Sequence, residues 1–465
     1  MEHPALSGVR TACGRLPPTN HEPILHPARQ LNHPLRLSLA GEMHARPFMR
    51  IEPPERALHL AVFAGDALDQ HHAWLCALCE SFGVSPPDRE AGHFFHDFGP
   101  YRLKWENHSE FSTYTFALRG PFEAPFEDDP LRRLPQSWLA QLAGHVISAA
   151  QLAFVSAPDE PLRANDPRIG AQFTGQLIAG ARVMTGGAVW SDFQVQPDGV
   201  SRFLLYDIGL REFQAGRLSQ RVLEIDTYRM MALLALPVAR ECQPVIREAE
   251  TALAEISREL AVADSPDTER WLLERLTRLS ARIEAVAEAN DYRFSAASAY
   301  FSIVRARLHE LREERIEGVP TFGEFMDRRL VPAMDFCDFV RRRQHELIER
   351  LSRTDSLLRT RVTMTQERHN SAILASLNKR AEIQLRLQQA VEGFSTVAIS
   401  YYLLGVLGYL FKSLSKLGVP ISPDLASTVA LPIVLGAVWF GVHRVRHSLL
   451  GKSPRPDSPE AAARS

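Results

Sequence analysis

Hydrophobic and polar residues alternate with a period of two in several stretches of the first half of the chain, and this pattern predicts β-strands. Two of the stretches predict hairpins, one turning at residues 107–109 and one at Gln196-Pro197-Asp198-Gly199. Helical periodicity separates the strands. The strands are predicted at residues 57–64, 101–117, 145–156 and 189–206, and the helices at 66–82, 134–143 and 219–236. The pattern therefore predicts a mixed α/β domain.

The second half of the chain loses the strand pattern. Beyond a predicted break at Pro237, three helices are predicted at residues 239–262, 266–290 and 296–316. Residues 333–392 then contain neither Pro nor Gly and are rich in Arg, Glu, Gln and Leu. One continuous helix of about 90 Å, at 1.5 Å per residue, is therefore expected.

An eleven-residue spacing relates four apolar residues of this long helix, Val340, Leu351, Val362 and Ile373. Such a repeat suits a straight or slightly right-handed helix bundle. The stripe could join the long helices of several chains into a homo-oligomer. It could equally pack on the three preceding helices of the same chain, and the sequence leaves both interpretations open.

Two uncharged apolar runs, at residues 393–411 and 425–442, lie near the C-terminal end. Each approaches the ~20 residues that span a bilayer, and the connector is too short to fold as a domain, so a transmembrane hairpin is predicted. The first 56 residues contain no apolar signal segment, and Lys and Arg flank the hairpin on its outer ends. The positive-inside rule then places both termini and the large domain in the cytoplasm of a bacterium, at its inner membrane.

The predicted layout divides the chain into eight parts. They are a disordered tail (1–30), a cytoplasmic α/β domain (31–236), a helical layer (237–320), a long stalk helix (321–392), a first transmembrane helix (393–411), a short external loop (412–424), a second transmembrane helix (425–442) and a basic cytoplasmic tail (443–465).

Composition adds little to this layout. The 465 residues carry a net charge of −2, so there is no overall positive charge that would attract nucleic acid. The expected partners are the lipid bilayer and further copies of the chain. Cys76 and Cys79 form a C-x-x-C within a predicted amphipathic helix. Without a second such pair they are expected to be core residues, and no metal site or cofactor is predicted.

One cluster of chemically versatile residues lies before the first strand: His33, Arg36, Glu42, His44 and Arg46. Its guanidinium groups could bind a small anion through forked hydrogen bonds. The alternative is structural, with His44 and Arg46 fixing the segment to the α/β domain.

Glu106, His108 and Glu110 form a second candidate group, because two carboxylates beside an imidazole can do acid–base work. A turn at residues 107–109 would remove their common face, so solvated turn residues are the favoured interpretation. The common nucleotide, zinc-protease and serine-hydrolase signatures do not occur, and nothing in the sequence requires an enzyme.

In the first apolar run, Tyr401, Gly405, Gly408 and Lys412 share one helical face. Small and polar residues at membrane depth form either a helix packing seam or the wall of a pore. The sequence favours the seam and also permits the pore.

Four segments resemble domain of unknown function 3422, a family of predicted bacterial membrane-anchored proteins. They are LNHPLRLSLAGEMHARP (31–47), WENHSEFSTYTF (105–116), EIDTYRMMALLALP (224–237) and LRLQQAVEGFSTVAISYYLLGVLG (385–408). The resemblance implies an uncharacterised protein with this layout and carries no catalytic residue with it.

The predicted layout is also similar to that of CorA-type magnesium channels, whose first spans line a pore ending in Gly-Met-Asn. This chain has Gly408-Tyr409-Leu410-Phe411-Lys412 there, and Lys412 would repel a divalent cation. The leading hypothesis is an inner-membrane homo-oligomer, either an ion channel that would bind a divalent cation or a scaffold. The alternative is a membrane-tethered enzyme or small-anion sensor.

Overall fold

The structure is a computed structural model of the chain. It describes residues 31–33, 35–36, 39–40, 48–65, 67–118, 122–158, 163, 166–416 and 422–450. The predicted tail of residues 1–30, the middle of the predicted loop and the end of the basic tail lie outside this set. The chain divides into two compact units, one of residues 1–257 and 276–352 and the other of residues 258–275 and 353–465.

In the described part of the first unit, nine strands form one sheet. They are β1 (Glu55–Phe63), β2 (His93–Asp97), β3 (Tyr101–Asn107), β4 (Phe111–Leu118), β5 (Val146–Ser156), β6 (Ala179–Val183), β7 (Gly187–Ser191), β8 (Ser201–Asp207) and β9 (Glu314–Arg315). The order across the sheet is β2-β3-β4-β1-β5-β8-β7-β6-β9, and β5 with β8 is the parallel pair. An α/β architecture is therefore confirmed for the N-terminal part of the chain.

One face of the sheet packs against two helices, α1 (Leu68–Ser81) and α2 (Gln136–Gln141). Alternate residues of the strands, such as Leu58, Trp105 and Phe116, pack there with Trp74 and Trp138. The Trp138 Nε1–H donates a 2.8 Å hydrogen bond to the Trp74 carbonyl, which satisfies a buried polar group. Cys79 belongs to this core, as expected from its place on an apolar helix face.

Helix α4 (Gln214–Leu233) covers part of the opposite face of the sheet, and a short helix, α3 (Pro167–Gly170), precedes β6. Leu218, Val222 and Ile225 are fully buried at helical spacing. Gly216 lets this helix approach the segment before β1, since a Cβ added there would lie 2.2 Å from the Met49 carbonyl oxygen.

Two long helices follow, α5 (Ala235–Val262) and α6 (Pro266–Leu311). The predicted break at Pro237 falls instead at Leu234, between α4 and α5. The prediction of separate helices at 266–290 and 296–316 was wrong, because α6 is continuous. Phe294 and Ala297 are buried there, so packing holds the helix through a stretch of weaker helix formers.

The last helices of the described residues are α7 (Phe322–Arg329), α8 (Val331–Lys416) and α9 (Pro423–Leu450). The long stalk is thus part of an 86-residue helix that begins after a separate short helix. Two stretches are long and apolar enough to cross a membrane, one within Phe322–Ser413 and one at Asp424–Arg444. The structure therefore shows an α/β sheet domain followed by long helices and a C-terminal apolar helix.

Candidate ligand-binding site

A cavity of about 270 Å³ lies within the first unit, between the sheet and helix α4. The sheet contributes β1, β3 and β4, the segment before β1 contributes Met49 and Ile51, and α6 contributes Arg307. The polar residues lining the cavity are His59, Lys104, Glu106, His108, Thr113, Thr115, Ser219, Gln220, Glu224, Thr227, Tyr228 and Arg307. Phe111 and Leu223 add apolar surface, so the cavity combines a hydrophobic part with convergent polar groups, as ligand sites do.

Strand alternation explains how the polar residues reach the cavity. In β3, Leu103 and Trp105 belong to the core under α1, so Lys104 and Glu106 point to the other face. The pairing of β3, β4 and β1 places Thr115 opposite both Lys104 and His59, and Thr113 opposite Glu106. One patch of three neighbouring strands therefore forms the floor of the cavity.

His59 is a buried titratable group of the cavity. Its Nδ1 lies 2.8 Å from the Thr115 hydroxyl, and its Nε2 lies 3.0 Å from the Thr227 hydroxyl on α4. Burial lowers the pKa of His59 to about 4; Asp226 opposes the shift and Lys104 adds to it. The ring is therefore neutral at physiological pH and joins the sheet to α4 through two hydroxyls.

The charged side chains form a connected network along the cavity wall. The Lys104 ammonium lies 3.1 Å from the Glu106 carboxylate and 3.4 Å from the Gln220 side-chain oxygen. The Gln220 amide donates a 2.6 Å hydrogen bond to Glu224. Glu224 also accepts a hydrogen bond from Arg307 on α6. Two positive and two negative side chains therefore line this wall, and Arg307 also pairs over 2.7 Å with Glu310, which is not among the lining residues.

Ser219 differs from these charged residues in its hydrogen bonding. Its side chain is 1% exposed and lines the cavity, and its Oγ has no hydrogen-bond partner among the described residues. Leaving a buried hydroxyl unsatisfied costs about 1–3 kcal/mol. Removing this hydroxyl should therefore stabilise the chain.

The group Glu106, His108 and Glu110 is divided by the turn after Asn107, as the sequence suggested. The residues are not simply solvated, however. Glu106 and His108 line the cavity, and the His108 ring stacks on Phe111 with centroids 4.3 Å apart. Glu110 is 1% exposed and belongs to a separate contact with α6.

The contact of Glu110 with α6 joins the β3–β4 turn to that helix. The Glu110 carboxylate accepts hydrogen bonds of 3.1 and 2.6 Å from the two terminal nitrogens of Arg293, and one of 2.7 Å from the Tyr300 hydroxyl. This bidentate geometry is the strong form of an ion pair. Glu110 is therefore fully engaged in holding α6 and does not face the cavity.

Two residues of the predicted anion cluster, His33 and Arg36, are not among those that line this cavity. His33 and Arg36 are exposed, and their hydrogen bonds are local: the Leu35 amide donates to His33 over 3.2 Å, and Arg36 donates to Asn32 over 2.7 Å. Glu42, His44 and Arg46 lie outside the described residues. Met49 and Ile51, shortly after the cluster, do line the cavity.

The predicted stalk residues fall into two classes. Val340 and Leu351 are each 1% exposed, so the chain itself covers them, whereas Val362 is half-buried and Ile373 is 48% exposed. Any contact between stalks would therefore begin near Val362.

The predicted membrane face is largely open within the single chain. Tyr401 is 75% exposed, Gly405 and Lys412 are also exposed, and Gly408 is half-buried. Ser400, one residue away from Tyr401, is buried instead. The face is thus free for lipid or for another chain.

Sequence reasoning missed His59 and Lys104, which lie in the middle of strands. The sequence signal that could have revealed them is a charged or titratable side chain in a strand whose alternate residues are large and apolar. A side chain of this kind on a covered face needs polar partners, and here the partners come from α4.

The family comparison agrees with these observations. A family model described as Protein of unknown function (DUF3422) matches residues 31–449. The chain belongs to the DUF3422 family. Its matched region includes the whole sheet, the cavity and both apolar helical stretches. A search of curated proteins found none that matches this DUF3422 chain.

Proposed function

We propose that this DUF3422 protein is a membrane-anchored binding protein whose α/β unit holds a small polar molecule in the cavity under α4. The observation that carries the proposal is a cavity of about 270 Å³ in which the charged groups of Lys104, Glu106 and Arg307 converge beside the apolar surface of Phe111 and Leu223. Convergent polar groups in a partly apolar cavity are the usual make-up of a small-molecule site.

The chemistry of the cavity supports binding rather than catalysis. His59, the natural general base, has a pKa of about 4 because it is fully buried. An efficient base has a pKa near the working pH, and both ring nitrogens of His59 already contact hydroxyls. The group therefore contributes to the shape and polarity of the site.

Anchoring in a membrane rests on the two apolar helical stretches, with Lys379, Arg380, Arg444 and Arg446 on their outer ends. The expected arrangement is a hairpin with the α/β unit on the cytoplasmic side of the bacterial inner membrane. Fractionation of cells that express the full chain tests it. Retention in the membrane pellet after carbonate washing supports the anchor, and release into the soluble fraction contradicts it.

Ligand binding is tested on the full chain in mild detergent by thermal unfolding with a panel of small molecules. The panel contains amino acids, simple carboxylates, simple amines and polyols, each at millimolar concentration. A ligand that binds the folded state raises the unfolding temperature. At least one class should do so, and Ser219→Leu, which places a larger apolar group in the cavity, should abolish the shift. Absence of any shift across the panel contradicts the proposal.

A second candidate function is assembly into a homo-oligomer through α8, with ion conduction by CorA-like spans as one form of it. The observation that favours assembly is a run of exposed apolar side chains before the first apolar stretch, since Leu374, Leu377, Leu387 and Val391 are all more than half exposed. An exposed apolar surface of this length needs a covering partner.

Native mass spectrometry of the detergent-extracted chain tests this assembly. An oligomer that dissociates in Leu377→Glu but persists in Asn378→Glu, which adds the same charge at an exposed neighbour, supports it. A monomeric wild-type chain contradicts it. Ion flux through liposomes containing the oligomer, with and without Lys412→Ala, then tests conduction through the face of Tyr401, Gly405, Gly408 and Lys412.

A further inference from the structure

The charged residues of the cavity balance in number, and this restricts what the cavity can hold. Lys104 and Arg307 carry positive charge, and Glu106 and Glu224 carry negative charge. A ligand with a single charge would be attracted by the cavity residues of opposite sign and repelled by those of the same sign. It would also draw one member out of an existing pair and leave the opposite member buried without compensation, which is strongly unfavourable.

The two ion pairs differ in what they do for the fold. Glu224 and Arg307 lie on α4 and α6, so their contact joins two helices. Lys104 and Glu106 lie two residues apart on the same strand, and their 3.1 Å contact joins no separate elements. Their side chains are only 8% and 13% exposed. Burial of this pair is costly, and the 3.4 Å contact of Lys104 with Gln220 on α4 offsets little of that cost.

The volume of the cavity limits the size of the occupant. Its 270 Å³ lies just below the ~300–1,000 Å³ range of ligand pockets, so we expect a small occupant, such as a free amino acid with a short or medium side chain. Phe111 and Leu223 provide an apolar surface away from the charges.

We propose that the cavity binds a small zwitterion of the free α-amino acid type, a specificity that rests on the proposed binding function. Its ammonium group pairs with Glu106, and its carboxylate pairs with Lys104. In an α-amino acid both charged groups are attached to one carbon, so they can face the adjacent Lys104 and Glu106 together. The side chain then lies towards Phe111 and Leu223.

Isothermal titration of the full chain in mild detergent tests this specificity. The probes are L-leucine and other free amino acids of similar or smaller size, 4-methylpentanoate as the carboxylate without the amine, 3-methylbutylamine as the amine without the carboxylate, and erythritol as a neutral polyol. The best amino acid should bind at least about 10-fold more tightly than either singly charged analogue, because each loses a charge-assisted contact.

Charge variants sharpen the test. Lys104→Gln should remove the advantage of the zwitterion over the amine, and Glu106→Gln should remove its advantage over the carboxylate. Lys379→Gln, on the exposed part of α8, is the matched control and should change neither ratio. Circular dichroism establishes that each variant is folded.

The outcomes separate this inference from the function on which it rests. Equal or tighter binding of erythritol or of a singly charged analogue overturns the zwitterion specificity and leaves a ligand-binding cavity. No binding by any probe, with no thermal shift in the wider panel, overturns both. A preference for the zwitterion that persists in Lys104→Gln and Glu106→Gln overturns the assignment of these two residues.

Discussion

The two faces of the sheet are built from the same strands and have opposite contents. On the face under α1 and α2, Trp105, Phe116 and Trp138 pack in one buried hydrophobic cluster. On the face under α4, the intervening residues of the same strands are Lys104 and Thr115, and they line a cavity. Period-two alternation thus separates residues that stabilise the fold from residues that are available to a ligand.

The comparison predicts that large-to-small changes destabilise the chain chiefly on the packed face. Trp138→Ala should lower the free energy of unfolding by about 4 kcal/mol, because it removes a fully buried ring and leaves a cavity. Urea unfolding followed by circular dichroism measures the change. Trp271→Ala, at a ring that is 49% exposed, is the control and should have a much smaller effect. Equal effects at the two positions would contradict the assignment of the packed core.

Not every buried polar group near the cavity is available to a ligand. Glu110 is an example, because its carboxylate is paired with Arg293. Glu110→Ala should destabilise the chain by about 3 kcal/mol, since it leaves Arg293 without its bidentate partner. The same unfolding experiment applies, with Glu382→Ala in an exposed ion pair of α8 as the control. Unchanged stability together with altered ligand binding would place Glu110 in the site instead.

His59 makes the cavity face sensitive to pH. Its pKa in the folded chain, about 4, is below the ordinary value of 6.5, so the unfolded chain takes up a proton first as the pH falls. The stability contribution is therefore present above pH 6.5 and is lost as the pH falls towards 4, by about 2 kcal/mol between pH 7 and pH 5. Unfolding of wild type and His59→Gln at the two pH values measures this, and an identical pH dependence in both would refute it.

The smallest expected effect is at Ser219. Ser219→Ala removes an unpartnered buried hydroxyl, so it should stabilise the free protein by about 1 kcal/mol. Ser302→Ala is matched to it, because Ser302 is also on a helix but its hydroxyl donates to the Ser298 carbonyl. Greater stabilisation in Ser302→Ala than in Ser219→Ala would argue against an unsatisfied Ser219.

The sequence predicts local structure well in this chain. The turn after Asn107, the strand containing His59 and the helix at Cys79 all follow from local periodicity and turn residues. Short strands such as β2, β6 and β9 escape prediction, because few residues carry their pattern and β9 is defined by pairing with a distant strand. The sequence also does not predict that α6 is continuous, because packing against distant residues overrides the local helix propensity.

The cavity could be predicted only in part. Glu106 and His108 stand out from the sequence, but their neighbours His59, Ser219 and Arg307 come from distant elements. Nothing local indicates that α4 covers Lys104 and Thr115, or that α6 reaches the same wall. Long-range strand pairing and helix packing create the site, and the local periodicity of the sequence predicts neither of them.

The most direct test of the account is thermal unfolding of the full chain with the small-molecule panel, comparing wild type with Ser219→Leu. The account predicts that at least one class of polar molecule raises the unfolding temperature of wild type in a concentration-dependent way and leaves Ser219→Leu unchanged. A panel without effect on wild type, or equal shifts in both proteins, would contradict a ligand site beneath α4.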